Sequence, residues 1–117
     1  MMIQLRIYTL ASKEAAQKYA NVHWKRHIES LKKYGITTHE VYVESNGQVP
    51  TRVFAIVSYE GTDLRSQNGK YMASADFKED MKGFQMSDIQ GVEEILVESM
   101  SFDERVKKNH HIEVQSF

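Results

Sequence analysis

Two histidines four residues apart, His23 and His27, lie in a stretch that runs without Gly or Pro from Ser12 to Tyr34, and Arg6 and Tyr8 stand two residues apart just ahead of it. Near neutral pH an imidazole can give one hydrogen bond and accept another, which is what a general base or a ligand-orienting group needs. A guanidinium beside a phenol can hold a carboxylate, an enolate or a carbonyl oxygen. At about 100° per residue, Ala16, Ala20, His23, Trp24, His27, Leu31 and Tyr34 share roughly a third of a helix circumference, with His27 near the middle and His23 at the margin. Burial among Ala20, Trp24 and Leu31 favours the neutral ring of His27. His27, Arg6 and Tyr8 are therefore the catalytic candidates, and His23, Trp24 and Tyr19 the candidate ligand contacts. Each has a plainer alternative: a core histidine satisfied by a strand carbonyl, and an Arg6–Tyr8 network closed by the Glu residues of the last strand.

The same histidine spacing could bind zinc, nickel or copper. His23-Trp24-Lys25-Arg26-His27 lacks the Glu that follows the first His in a zinc-protease helix, and two cations sit between the rings, so no metal is assigned. Phosphate-binding Gly loops, a Ser nucleophile elbow and clustered acidic ligands are all missing from the sequence. Nucleotide-dependent chemistry is not expected, and no cofactor is assigned. Trp24, Tyr19, Phe77, Met72 and Met81 would suit an adaptable apolar wall, or simply a core.

Periodicity indicates the strands and helices on which these side chains are mounted. Residues 2–10 alternate, with Ile3, Leu5 and Ile7 on one face and Gln4, Arg6, Tyr8 and Leu10 on the other, the pattern of a half-buried strand. Ser12 can cap a helix expected to run to about Tyr34, where Gly35 suits the left-handed position past its end. Residues 36–45 and 52–59 read as a β-hairpin around Asn46-Gly47. From Thr62 to Gly83 a broken helix is predicted, with Thr62 as cap and Gly69 as the interruption, and residues 92–102 form the last strand. The order β-α-β-β-α-β is the ferredoxin-like α+β arrangement: a four-stranded antiparallel sheet with both helices on one face. Strand three offers Val53, Ala55 and Val57 on one side and Phe54 and Ile56 on the other. A sheet apolar on both faces predicts a homodimer packed sheet against sheet.

The chain of 117 residues fits one domain, assigned to 1–102, followed by a tail, 103–117, that could add an edge strand, reach across a dimer or stay partly ordered. Lys and Arg number 15 against 16 Asp and Glu, so no basic footprint for nucleic acid exists. Without cysteine there is no disulfide framework or thiol nucleophile. No apolar run approaches a membrane span, and no leader pattern is seen, so a cytoplasmic location is expected.

The Leu5-Arg6-Ile7-Tyr8-Thr9-Leu10 strand, Trp24 and His27 of the first helix, and the Leu31…Tyr34-Gly35-Ile36 exit together resemble the NIPSNAP family over about residues 2–102. The resemblance implies a dimeric α+β barrel, in which two ferredoxin-like sheets close on one another. It supplies no catalytic residues. Related barrels include cofactor-free monooxygenases, isomerases, haem-degrading enzymes and proteins with no known reaction, so the expectation is a small-molecule pocket between the first helix and the sheet. A non-catalytic dimeric scaffold is the alternative.

Overall fold

A computed structural model describes residues 2–47 and 49–100; the 103–117 tail lies outside the described residues. Strand β1 (Met2–Leu10) leads into α1 (Lys13–Lys18), a π turn (Tyr19–His23) and α2 (Trp24–Lys32), which form one continuous helical segment. Next come the hairpin of β2 (Ile36–Val43) and β3 (Thr51–Tyr59), then α3 (Leu64–Met72), α4 (Ala75–Asp80), a short 3-10 turn (Met86–Asp88) and β4 (Ile89–Val97). The four strands are antiparallel in the order β2-β3-β1-β4, as the ferredoxin-like pattern requires.

Alternation along β1 decides what each face carries. Gln4, Arg6, Tyr8 and Leu10 are buried beneath the helices, whereas Ile3, Leu5 and Ile7 lie half-buried on the open face. On β3 the helix side holds Val53, Ala55 and Val57, all at 0% exposure, and the open side holds Phe54 and Ile56. Arg6 stands opposite Ala55 on one side and Glu94 on the other. The strand at the centre of the sheet therefore buries its most polar residues against the helices, an inversion that needs a functional or a network explanation.

Several local details differ from the sequence expectations. The long helix ends at Lys32, not Tyr34, and is interrupted by the π turn, in which the Trp24 N–H reaches back to the Tyr19 carbonyl. The wider turn inserts one residue and rotates the helix beyond it, so His23 leaves the margin and becomes fully buried. Ser12 does cap the segment, accepting from the Ala15 N–H at 3.0 Å, and Gly35 takes φ 74° past its end. In the second helical region Asp63, not Thr62, is the cap, because its carboxylate reaches the Ser66 N–H. Gly69 lies within α3; the break falls at Ala73–Ser74, where the Ser74 hydroxyl accepts from the Phe77 N–H and starts α4. The last strand spans Ile89–Val97 and not 92–102.

The C-terminal end of α4 is held by cationic or imidazole side chains of the long helix. His23 Nδ1 donates to the Asp80 carbonyl at 2.8 Å, Arg26 to the carbonyls of Asp80 and Lys82, and Lys18 to that of Gly83. Unpaired carbonyls at a helix end carry partial negative charge, so these donors both satisfy them and complement the dipole. The result fixes the Asp80 side chain over α2. Among the described residues, no helix is long and apolar enough to cross a membrane.

Candidate functional site

The helix layer and sheet enclose a cavity of about 420 Å³, and Arg6, Tyr8, Tyr19, Trp24 and His27 all reach its wall. Arg6 is 5% exposed. Its Nε donates to Gln4 Oε1 at 3.0 Å, one terminal nitrogen to the Tyr59 hydroxyl at 2.6 Å and to Asn68 Oδ1 at 3.0 Å, and the other to the Tyr8 hydroxyl at 3.4 Å. Tyr59 donates its own proton to Gln4. Every partner is neutral. Glu94, opposite Arg6 in register and on the cavity wall, makes no ion pair with it, and among the described residues Arg6 has no carboxylate partner. Burial alone would lower the guanidinium's pKa, but the Tyr8 and Tyr59 hydroxyls outweigh it and hold it above its ordinary value. A guanidinium has five N–H donors, and the weakest of these bonds, to Tyr8, leaves capacity on the cavity side.

His27 lines the same cavity and is 3% exposed. Its Nδ1 is 2.5 Å from the Tyr71 hydroxyl and 3.5 Å from Asp80 Oδ2, and Tyr71 donates to that same Oδ2 at 2.7 Å. The Tyr71 proton is thus committed to the carboxylate, so Nδ1 must be the donor to the Tyr71 oxygen. Nε2 is then an acceptor. It has no partner among the described residues and is not among their sealed polar atoms, so it opens onto the cavity. Burial pushes the His27 pKa down to about 4, against the opposing pull of the Asp80 carboxylate. Burial, reinforced by the same carboxylate, raises the Tyr71 hydroxyl well above its usual range.

The rest of the wall is largely aromatic and apolar. Tyr8 meets Tyr19 and Trp24 edge to face at 5.1 and 6.0 Å, Trp24 meets His27 edge on at 5.2 Å, and Phe77 stacks parallel to His27 at 6.2 Å. Phe77, Met72 and Met81 do line the cavity, and half-exposed Met72, Met86 and Val92 rim it. A neutral base and a buried cation on one largely apolar cavity wall can hold a small organic molecule by an oxygen and receive a proton from it.

His23 is not on the cavity wall. It is 0% exposed, bonded to the Asp80 carbonyl and packed edge to face on Phe84 at 5.0 Å, which is a structural position. The Glu-closed network also fails to form, since Gln4, Tyr59 and Asn68 take the place of a carboxylate. Sequence reading missed Asn68, Tyr71 and Asp80 as polar members of the site. A buried Asp on the inner side of a short helix was the available signal, but the break at Ser74 had to be placed correctly before Asp80 could be turned inward. Among the described residues no group of three or more His, Cys, Asp or Glu side chains could hold a metal.

Comparison with known proteins gives a consistent picture. Residues 3–109 match the sequence profile of the NIPSNAP family, past the 102 boundary of the resemblance. An uncharacterised NIPSNAP domain protein from Burkholderia xenovorans superposes with a TM-score of 0.65 at 12% identity, covering 88% of this chain and 98% of that one. A NIPSNAP family protein of unknown function from Agrobacterium tumefaciens gives 0.68 at 17% identity, over 89% and 92%. An antibiotic biosynthesis monooxygenase gives 0.52 at 11% identity, over 86% and 100%. At these identities the structural likeness speaks for the fold. No curated protein matches the sequence.

Proposed function

This chain belongs to the NIPSNAP family, and we propose that it binds or converts a small organic molecule in the cavity between the long helix and the sheet. In this reading Arg6 and Tyr8 hold an anionic or carbonyl oxygen, His27 acts as acid or base, and Trp24 and Tyr19 bound the apolar part of the ligand. One observation carries it: a guanidinium 5% exposed, on the wall of a cavity of about 420 Å³, with neutral partners only. A buried cation is costly unless something anionic completes its surroundings. A bound anion would do so. The likeness to an antibiotic biosynthesis monooxygenase supports small-molecule chemistry at the level of fold.

The open face of the sheet supports a homodimer as the working form. Leu5 pairs with Ile56 and Ile95, and Ile7 with Phe54, so one apolar surface crosses three strands. Tyr42, Ile95 and Val97 on that face are exposed in a single copy. A second copy packed sheet to sheet would cover it. We further infer a cytoplasmic location.

The test is calorimetric titration of a panel of small organic acids and carbonyl compounds against wild type and Arg6→Met. Binding by wild type that is weakened tenfold or more in the variant supports the reading. Equal binding by both removes Arg6 from it, and a protein that binds nothing in the panel returns the assignment to a non-catalytic dimeric scaffold.

A further inference from the structure

We propose that Tyr71 and Asp80 form a relay behind His27 that reserves its unprotonated Nε2 as the cavity's proton acceptor, fitting the site to a molecule that gives up a proton and leaves an enolate or phenolate oxygen against Arg6. The proposal rests on the small-molecule reading above and adds a direction to it: which atom takes the proton, and what kind of ligand can supply one.

The relay emerges from counting protons. Asp80 Oδ2 accepts from Tyr71 at 2.7 Å, and the Tyr71 oxygen lies 2.5 Å from His27 Nδ1. A hydroxyl has one proton, so with that proton on the carboxylate side the imidazole must supply the second bond from Nδ1–H. Asp80 is itself 6% exposed, and its only ion-pair partner among the described residues is His27, at 3.5 Å. No lysine or arginine side chain among the described residues neutralises it; Arg26 reaches only its backbone carbonyl. A buried carboxylate with no cation is costly in the resting state and becomes paired when His27 takes up a proton.

The charges around the cavity are therefore complementary to a proton transfer inside it. Before transfer the site holds Arg6 as a cation, Asp80 as an anion, a neutral His27 and a neutral ligand. The ligand's O–H or acidic C–H bond breaks, its electron pair stays on the ligand as an enolate or phenolate, and the proton forms a new bond to Nε2. Afterwards the ligand anion faces Arg6, and the imidazolium faces Asp80 through Tyr71. Two ion pairs form where none existed, no oxidant is consumed, and the step reverses by the same path. A carboxylate already ionised at neutral pH would satisfy Arg6 without using Nε2. Tyr71 and Asp80 are positioning residues in this scheme; His27 takes the proton and Arg6 holds the ligand oxygen. Other titratable or charged groups that act on His27 or share its cavity wall are Arg6 and Tyr8 of β1, Tyr19 and His23 of the long helix and Glu94 of β4.

Ring-nitrogen NMR of isotope-labelled histidine in the ligand-free protein tests the relay. Near neutral pH the wild type is expected to show His27 protonated at Nδ1 and bare at Nε2. Asp80→Ala frees the Tyr71 proton to point at Nδ1, and the ring proton should move to Nε2. Tyr71→Phe should retain Nδ1–H, because the carboxylate then accepts directly. A wild-type ring protonated at Nε2, or an Asp80→Ala ring unchanged from wild type, overturns the relay; the wild-type spectrum decides the matter alone if Asp80→Ala does not fold. Para-nitrophenol and acetylacetone test the ligand class: a bound probe should be ionised at a pH below its solution pKa, with the ionised fraction falling about tenfold in Asp80→Ala. Binding of the neutral form, or of neither probe, overturns the class. Arg6→Met should abolish binding of the ionised probe and leave the His27 tautomer as in wild type, which separates failure of the relay from failure of the anion site.

Discussion

Burial of His27 ties the stability of the fold to pH in a window set by one side chain. Its ordinary pKa of 6.5 falls to about 4 in the folded protein, with burial as the leading cause. Above 6.5 the ring is neutral in both states and has no effect on the equilibrium. Between 6.5 and about 4 the unfolded chain binds a proton that the folded one refuses, so the unfolded state holds more protons and stability drops as pH falls. At about 1.4 kcal/mol per unit, the descent from 6.5 to about 4 removes about 3 kcal/mol from the folded state. That is a large part of the roughly 5–15 kcal/mol typical of a domain. Other carboxylates and histidines titrate in the same range, so the quantity to measure is a difference. Urea unfolding of wild type and His27→Gln, repeated at steps from neutral pH to pH 4, should give curves that diverge from those at neutral pH. Wild type should lose about 3 kcal/mol more than the variant across that range. Parallel curves for the two proteins would refute the placement of His27 as a buried neutral base, whatever the ligand is.

Packing supports three further outcomes. Trp24, 1% exposed and wedged between Tyr8, Tyr19 and His27, should cost about 3–5 kcal/mol on truncation to Ala, measured as a lowered urea midpoint. Gly35→Ala should destabilise by about 1–2 kcal/mol, because φ is 74° and a Cβ would lie 2.8 Å from Gln67 Nε2; a neutral result in thermal melts would refute that geometry. Ile56→Asp puts a charge in the middle of the open face, opposite Leu5, and should convert a dimer to a monomer in sedimentation while circular dichroism stays unchanged. A dimer that persists would place the interface elsewhere.

How much could be read ahead of the fold depended on the range of the interaction concerned. Alternation in β1 gave both of its faces, and Ser12 and Gly35 marked the ends of the first helical segment, because those signals are local steric and hydrogen-bonding preferences. The grouping of Arg6, Tyr8, Trp24 and His27 on one wall was also legible, since a strand of period two and a helix of period 3.6 packed together can bring only certain residues face to face. The π turn was not legible: a single inserted residue leaves no mark in composition, yet it turned His23 from a rim position into a fully buried one. Nor was the break in the second helical region, where Gly69 looked the weaker point but Ser74 had the hydroxyl to start a new helix.

Element order, the two-faced sheet and the identity of the first base and cation are thus properties of the chain itself, because each is encoded within a few consecutive residues. The bonding partners of those groups belong to the folded molecule. Gln4, Tyr59 and Asn68 surround Arg6 from three different elements, and Tyr71 and Asp80 approach His27 from two helices. Arg6 meets Tyr59 and Asn68 across 53 and 62 residues of chain, and His27 meets Tyr71 across 44, separations that no local pattern records and that decide whether the cation finds a carboxylate and which imidazole nitrogen is left bare.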